Sequence, residues 1–355
     1  MDRVIFWILA LFAVLGAADR IFGNHFGLGQ EFEKGILTMG SLMLARAGIV
    51  TIAPILAAGL RPFVVPVFKF LGADTAMFAG SILACDMGGG ALAREMTEDP
   101  QAAALGGVIT GSMLGATVVF TIPVALGILR EEDRPAMAKG VLCGIVTIPV
   151  GILVGGLAAG FPLTMVAKNL IPIVILAGLI ALGLKFAENA MIRGFTLFGQ
   201  FLTVLSTMGL AAGIFWNLTG IQILPGMAPI ALGIETVGAI AVVLAGAFPF
   251  VFLLTKLLKN PLNDAGRLLG INETAAAGLI ATLANSIATF SLVKDMNPRG
   301  KVINIAFSVS AAFLLGDHLG FAAGFQPEML VPMMLGKLAG GLSALVLALL
   351  ITKKD

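Results

Sequence analysis

The chain has 355 residues, of which 58% are hydrophobic and only 12% are charged, and its formal net charge is +2. A soluble protein of this length could not cover so much apolar surface, so the composition excludes a soluble globular fold. The nearly balanced charge gives no reason to expect a nucleic acid partner, and the two cysteines indicate neither a disulfide framework nor a metal site.

Apolar runs of about twenty residues recur from end to end and predict an all-α polytopic membrane protein. Residues 61–71 contain two prolines and two basic residues and are interpreted as an interfacial segment. In chain order, the predicted crossings are residues 4–22, 35–60, 102–129, 137–160, 170–186, 195–216, 229–258, 302–325 and 329–351.

Two further stretches, residues 71–96 and 269–296, are similar to each other. Each begins with Leu-Gly, continues as an apolar run of small residues, and is interrupted at its middle by polar residues. The first is interrupted at Asp86, which precedes a run of glycines, and the second at Asn285 and Ser286. Because backbone polar groups must be satisfied within a membrane, such an interruption favours a re-entrant hairpin or a broken helix that lines a polar cavity.

The similarity extends beyond these motifs at a spacing of about two hundred residues, which indicates an internal repeat. It predicts a first membrane repeat at residues 1–160 and a second at residues 194–355, joined by a connecting span within residues 161–193. If both motifs re-enter, the repeats are inverted and there are about nine crossings plus two hairpins. If both motifs cross, there are about eleven segments and the repeats are parallel.

Basic residues distinguish these two topologies, because they are enriched in cytoplasmic connections. With hairpins and an external N-terminus, about fifteen Lys and Arg fall on the cytoplasmic side and about six outside. Crossing motifs give roughly twelve against nine, which is hardly a bias. The sequence therefore predicts inverted repeats, an N-terminus outside the cell and a C-terminus in the cytoplasm.

Ionisable side chains at membrane depth are costly and tend to mark function. Asp86 lies beside Gly88 and Gly89, where glycine lets the backbone approach a ligand and the carboxylate would attract a cation. The alternative is that Asp86 forms a structural pair with Arg46 or Arg94.

Glu235 lies in an apolar span that has no basic residue nearby, so it needs a partner, a proton or a cationic ligand. The alternative is a structural pair with Arg46. Asp317 and His318 lie late in another apolar span, where they could relay protons or orient a hydroxyl. For these two the alternative is a helix end at the interface.

Asn285 and Ser286 offer neutral hydrogen bonds at the second interruption. The sequence contains no recognisable nucleophile–base arrangement, phosphate-binding loop or metal-ligand spacing. An enzyme is therefore not indicated, and no cofactor is expected.

Five runs of the sequence carry a resemblance to a known family, namely FAG at 78–80, ACDMGG at 84–89, FTIPVALG at 120–127, GIVTIP at 144–149 and LGDHLGF at 315–321. They resemble the ethanolamine-utilisation transporter family EutH, and the resemblance covers nearly the whole chain. It implies an inner-membrane permease that brings ethanolamine into the bacterial cytosol. Asp86, Asp317 and His318 are carried over only as members of matching motifs, and the resemblance assigns them no individual roles. Whether H⁺ or Na⁺ is coupled to this transport stays open.

Protonated ethanolamine needs a counter-charge and a partner for its hydroxyl. We therefore expect a site between the two hairpins and transport by alternating access. In this hypothesis Asp86 or Glu235 holds the ammonium, while Asn285 or the backbone of residues 88–90 holds the hydroxyl.

The expected partners are ethanolamine and membrane lipids, and glycine-rich faces would permit a homo-oligomer. Three alternatives stay open at this stage. They are a carrier for another small solute such as a nucleoside, a passive amine channel, and an integral membrane enzyme, for which no catalytic set is present.

Overall fold

The computed structural model describes residues 2–353, and every regular element in that part of the chain is helical. Residues 1 and 355, where the predicted repeats begin and end, lie outside the described residues. The helices, in chain order, are α1 (Asp2–Ile21), α2 (Leu28–Phe70), α3 (Ala76–Ile82), α4 (Gly90–Met96), α5 (Pro100–Ile128), α6 (Arg134–Ala158), α7 (Leu163–Phe186), α8 (Glu188–Thr219), α9 (Ile230–Leu269), α10 (Glu273–Ala284), α11 (Ser286–Leu292), α12 (Pro298–Ala311), α13 (Asp317–Phe325) and α14 (Leu330–Ile351).

Eight helices of the described chain are long and apolar enough to cross a membrane, namely α1, α2, α5, α6, α7, α8, α9 and α14. The prediction of an all-α polytopic membrane protein is therefore confirmed. The predicted interfacial segment at residues 61–71 continues the helix α2 as far as Phe70, and its position at the membrane interface stays a prediction. Proline in that part of α2 does not end the helix.

The predicted crossing at residues 302–325 is not a continuous helix. α12 ends at Ala311, the chain turns over residues 312–316, and α13 begins at Asp317 as a separate helix. The backbone N–H of Phe313 donates to the carbonyl of Thr282, and the N–H of Leu315 donates to that of Leu283. The break therefore satisfies carbonyl groups at the end of α10 in place of an intrahelical ladder.

The chain reverses direction within residues 71–96, which we call hairpin 1. Thr75 Oγ1 donates to the Met96 carbonyl at 2.7 Å, and Thr97 Oγ1 donates to Asp74 Oδ2 at 2.8 Å. The two ends of the motif thus lie side by side. This reversal is what a re-entrant hairpin requires, and re-entry of the first motif into the membrane stays a prediction that the reversal favours.

The second motif, residues 269–296 or hairpin 2, reverses in the same way. Thr289 Oγ1 donates to the Gly278 carbonyl at 3.0 Å, whereas eleven residues of continuous helix would separate these positions by about 16 Å. Asn272 Nδ2 reaches the Asp295 carbonyl at 2.8 Å and ties the two ends together. The reversal favours the re-entrant interpretation here as well.

The two hairpins enter from opposite ends of the bundle. α2 and α9 pack antiparallel, because Gly35 lies against Ala245 and Gly233 lies against Ala47. Hairpin 1 follows the end of α2 and hairpin 2 follows the end of α9, so their entry points are opposed. Each half of the chain also shows a long helix followed by a hairpin. The internal repeat and its inversion stay predictions that this arrangement favours.

Close packing of α2 on α9 gives a first testable prediction. A Cβ at Gly35 would lie 2.6 Å from the backbone nitrogen of Ala245, whereas one at Gly40 meets nothing within 4 Å. We expect Gly35→Ala to destabilise the protein by about 1–3 kcal/mol through overpacking. Gly40→Ala should be neutral or stabilise by up to about 1 kcal/mol. Thermal unfolding in detergent, followed by tryptophan fluorescence, measures both, and equal shifts in Tm would contradict the assigned packing.

Candidate functional site

The site is organised by Arg46, which lies in a π-helical turn of α2 at Met43–Ala47. Such a turn inserts an extra residue into a helix and is often found at functional positions. Arg46 Nη2 lies 2.5 Å from Asp86 Oδ2 and 3.0 Å from Asp317 Oδ2. One guanidinium therefore joins α2, the tip of hairpin 1 and the start of α13.

This geometry decides between the pairings considered for Asp86. Asp86 pairs with Arg46, and Arg94 instead donates to the Phe325 carbonyl at 2.9 Å. The Arg94 guanidinium also lies 3.6 Å from the centroid of the Phe325 ring. Asp86 is therefore a partner of Arg46, as the alternative interpretation held. It also lies on a cavity.

His318 and Lys337 extend the polar cluster away from Arg46. His318 Nε2 faces Asp86 Oδ1 at 3.7 Å, and His318 Nδ1 lies 3.0 Å from Lys337 Nζ. Lys337, on α14, also donates to the Ser112 carbonyl of α5 at 2.6 Å. Both His318 and Lys337 are buried. The result is a continuous set of polar side chains from α2 to α14.

A cavity of 330 Å³ opens onto this cluster, which is in the size range of small-molecule sites. Both hairpin tips line it, with Asp86 from hairpin 1 and Asn285 from hairpin 2. Asp317 and His318 contribute from α13. The other lining residues are Thr38, Ser41, Leu42, Ala45, Arg46, Ala84, Met87, Ala116, Phe120, Phe248, Ile287 and Phe313. We call this space the central cavity.

Aromatic rings form one wall of the central cavity. Phe120 and Phe313 meet edge to face with centroids 5.2 Å apart, and Phe313 lies 5.1 Å from the His318 ring. Phe313 has a φ of 62°, which is rare for a residue with a bulky side chain and costs about 1–3 kcal/mol. Strain of this kind is retained where the surrounding structure needs the side chain in place.

Four of the residues proposed from sequence, Asp86, Asn285, Asp317 and His318, line the central cavity together. The Asn285 side-chain oxygen accepts a hydrogen bond from the Ile287 N–H at 2.8 Å and so begins α11. Its Nδ2 makes no hydrogen bond to the described residues, which leaves a donor at the cavity wall.

Gly88, Gly89 and Ser286 do not line the central cavity. Gly88 has a φ of 93° and lies against Ile49 of α2, so it serves the turn and the close approach of two segments. Gly89 lies against the Ala84 carbonyl within the same tip. Ser286 is fully buried, and its hydroxyl has no partner among the described residues.

Glu235 lies apart from the central cavity. It is exposed and lines a second cavity of 340 Å³, together with Arg94 and Glu95 of hairpin 1. Arg46 is engaged by Asp86 and Asp317, so the alternative pairing of Arg46 with Glu235 is wrong. The partners of Glu235 depend on which face of α9 carries it, and the sequence does not specify that face.

Lys337 was not singled out by the sequence analysis. The signal was available, because Lys337 interrupts the apolar run of the last span just as Asp86 interrupts its own segment. Cys85, Asp86 and His318 place possible metal-ligating atoms within 4.8 Å of one another. Asp86 already binds Arg46 and His318 already contacts Lys337, so cationic side chains stand where a metal would otherwise bind.

Removing Arg46 provides a second prediction. Arg46→Gln should destabilise the protein by about 3–5 kcal/mol, because it leaves the buried Asp86 carboxylate and the partly buried Asp317 carboxylate without their counter-charge. Adding Asp86→Asn should recover part of that loss. Arg20→Gln, which breaks a pair exposed to solvent, should cost no more than about 1 kcal/mol. Unfolding in detergent is measured for these variants and for Asp86→Asn alone, and additive effects of the two single changes at Arg46 and Asp86 would contradict a shared network.

A family model described as "Ethanolamine utilisation protein, EutH" matches residues 1–351. "Probable ethanolamine permease EutH" of Listeria monocytogenes is 56% identical over 349 residues, covering 98% of this chain and 94% of the relative. "Uncharacterized protein YxeR" of Bacillus subtilis is 51% identical, with 97% and 92% covered. "Probable ethanolamine permease EutH" of Salmonella typhimurium is 46% identical, with 100% and 96% covered. No solved structure matches the chain.

Proposed function

Because this chain belongs to the EutH family of ethanolamine utilisation proteins, we propose that it carries ethanolamine across a bacterial cell membrane. The observation on which the proposal rests is the central cavity, where two aspartates share one arginine between two hairpin tips. Relatives named as ethanolamine permeases support the choice of substrate. The naming of these relatives as permeases favours a carrier over an enzyme.

The ammonium group would bind at Asp317 and Asp86. Arg46 is one cation shared by two carboxylates, so it cannot compensate both of their negative charges. The Asp317 side chain is 22% exposed and that of Asp86 only 3%, so Asp317 presents the more accessible oxygen atoms to the cavity. The faces of Phe120 and Phe313 would add a cation–π contribution.

The hydroxyl group would accept a hydrogen bond from Asn285 Nδ2, which the hairpin 2 tip holds at the cavity wall. Ser41 and Thr38 of α2 lie on the same cavity and supply further polar atoms. Ethanolamine has its two polar groups at opposite ends, so one end would meet the carboxylates and the other the second hairpin. This arrangement supports a site between the two hairpins.

Two cavities, separated by a layer of buried side chains, favour alternating access over an open pore. The central cavity and the cavity at Glu235 are both bordered by α2, hairpin 1, α9 and α13. Between them Ile49 lies against Gly88, and Ile240 lies against Gly320. A rearrangement of the hairpin tips would open the site to one side and then to the other.

We further propose that the protein lies in the inner membrane with its N-terminus outside and its C-terminus in the cytoplasm. The distribution of basic residues in the connecting loops supports this orientation. Hairpin 1 would then enter from the outer side and hairpin 2 from the cytoplasmic side. Glu235 would lie in the outer cavity, where its carboxylate would attract cations before they reach the central site.

Uptake of labelled ethanolamine into proteoliposomes tests the substrate and the carboxylates. At mildly acidic external pH the amine stays charged, so leakage through lipid is suppressed. Asp317→Asn should weaken apparent affinity about tenfold to a hundredfold, since hydrogen bonds to charged groups contribute about 1.5–3 kcal/mol. Glu235→Gln is the matched control outside the central cavity and should change affinity far less.

Equal losses in Asp317→Asn and Glu235→Gln would contradict the assignment of the ammonium to the central cavity. Counterflow separates a carrier from a channel, because only a carrier exchanges internal substrate for labelled external substrate. Non-saturable uptake without counterflow would overturn alternating access. Competition by nucleosides but not by ethanolamine would overturn the substrate.

The hydroxyl contact can be tested with ethylamine, which lacks that group. Wild-type protein should prefer ethanolamine over ethylamine by about twofold to tenfold, the value of one neutral hydrogen bond. Asn285→Leu should remove this preference and leave ethylamine affinity nearly unchanged. Competition assays with both amines measure the ratio, and an unchanged preference in the variant would assign the hydroxyl contact elsewhere.

A further inference from the structure

Lys337 is a buried cation that the binding of ethanolamine does not use. It is 1% exposed, and its Nζ contacts the Ser112 carbonyl at 2.6 Å and His318 Nδ1 at 3.0 Å. Neither partner carries a negative charge, and no carboxylate of the described chain lies within ion-pair distance of it. A charged side chain in such a place is costly unless the field of nearby groups stabilises it.

The stabilising field comes from the two aspartates of the central cavity. His318 connects Lys337 to Asp86, and Asp86 shares Arg46 with Asp317. The helix α14, which carries Lys337, also packs against glycines of α6 and a serine of α12, and none of these residues titrates. The titratable and charged groups that face Lys337 and His318 are Cys85 and Asp86 of hairpin 1, Asp317 of α13 and Arg46 of α2.

The charges of this cluster balance if Lys337 is protonated when the cavity holds no amine. Arg46 and a protonated Lys337 contribute two positive charges, and Asp86 and Asp317 contribute two negative charges. An arriving ammonium would add one positive charge to a space of low dielectric. The cluster returns to balance if Lys337 loses its proton.

We propose that Lys337 is a proton-binding site which exchanges one proton for each protonated amine, so that transport carries no net charge. The proposal rests on the proposed function, because the exchange needs an ammonium substrate in the central cavity. It adds a coupling site that the binding of the amine does not itself require. It also assigns a route for the proton between Lys337 and the central cavity, because His318 contacts Lys337 and lines that cavity.

The exchange can be written as proton transfers that balance. As the ammonium binds, an N–H bond of the Lys337 ammonium breaks and the proton binds His318 Nδ1. The N–H bond at His318 Nε2 breaks in turn, and that proton passes to water in the cavity. After the site opens to the other side and the amine leaves as the ammonium ion, a proton from that side returns to Lys337 by the reverse steps. No bond of the substrate changes.

Calorimetry on the detergent-solubilised full chain tests the proposal without leakage through lipid. Ethanolamine is titrated into the protein at neutral pH in phosphate and in HEPES, two buffers with different ionisation enthalpies. The difference in heat gives the number of protons released per amine bound. We expect about one proton for wild type and for Lys168→Gln, an exposed lysine on α7. Lys337→Gln, which keeps a donor for the Ser112 carbonyl, should release close to none.

Binding of ethanolamine with equal heats in the two buffers would overturn the proton exchange and leave the proposed function intact. The same proton count in Lys337→Gln as in wild type would overturn the role of this lysine. Absence of any binding heat in wild type, together with absence of uptake, would instead contradict the proposed function.

A second measurement on wild type keeps the proposal testable if Lys337→Gln fails to fold. An inside-negative potential of about 100 mV, imposed with potassium and valinomycin, would raise accumulation of a singly charged amine about fiftyfold if transport carried charge. Electroneutral exchange predicts an unchanged accumulation ratio in proteoliposomes. A rise near fiftyfold would overturn the proposal.

Discussion

Arg46 is a guanidinium within a bundle of membrane helices, and its charge must be met by protein groups because lipid cannot meet it. It takes Asp86 from hairpin 1 and Asp317 from the start of α13. The helix break before Asp317 in turn donates two backbone hydrogen bonds to carbonyl groups of hairpin 2. The π-helical turn of α2, the tip of hairpin 1 and the break before α13 thus meet at Arg46. The central cavity lies beside these three interruptions of regular helix.

Much of this site could be predicted from polar residues that interrupt apolar runs. Asp86, Asn285 and Asp317 are visible in that way, and the structure brings them to one cavity. Glu235 was selected by the same rule, yet it lines a different cavity. The rule identifies a costly group at membrane depth, but it does not specify which face of a long helix that group occupies. The fold class and the reversal of both hairpins were predictable for the same reason, since lipid excludes unsatisfied backbone.

The features that were not predictable depend on contacts between distant segments. The break at 312–316 lies in a sequence as apolar as a continuous span, and hydrogen bonds to residues 282 and 283 of hairpin 2 hold it open. The π-helical turn at Met43–Ala47 has no marker in the residues themselves. A lysine in a last span is expected to extend its amine towards the interface, so position alone does not reveal that Lys337 is buried.

The layer between the two cavities includes the contact of the buried Ile49 with Gly88 of hairpin 1. In the proposed transport cycle, a tilt of hairpin 1 would part this contact without separating the two halves of the chain. The same contact is sensitive to lost volume, since a residue smaller than Ile49 would loosen the packing between the cavities. Fast turnover and a tight barrier to ions would therefore make opposite demands on the packing of this layer.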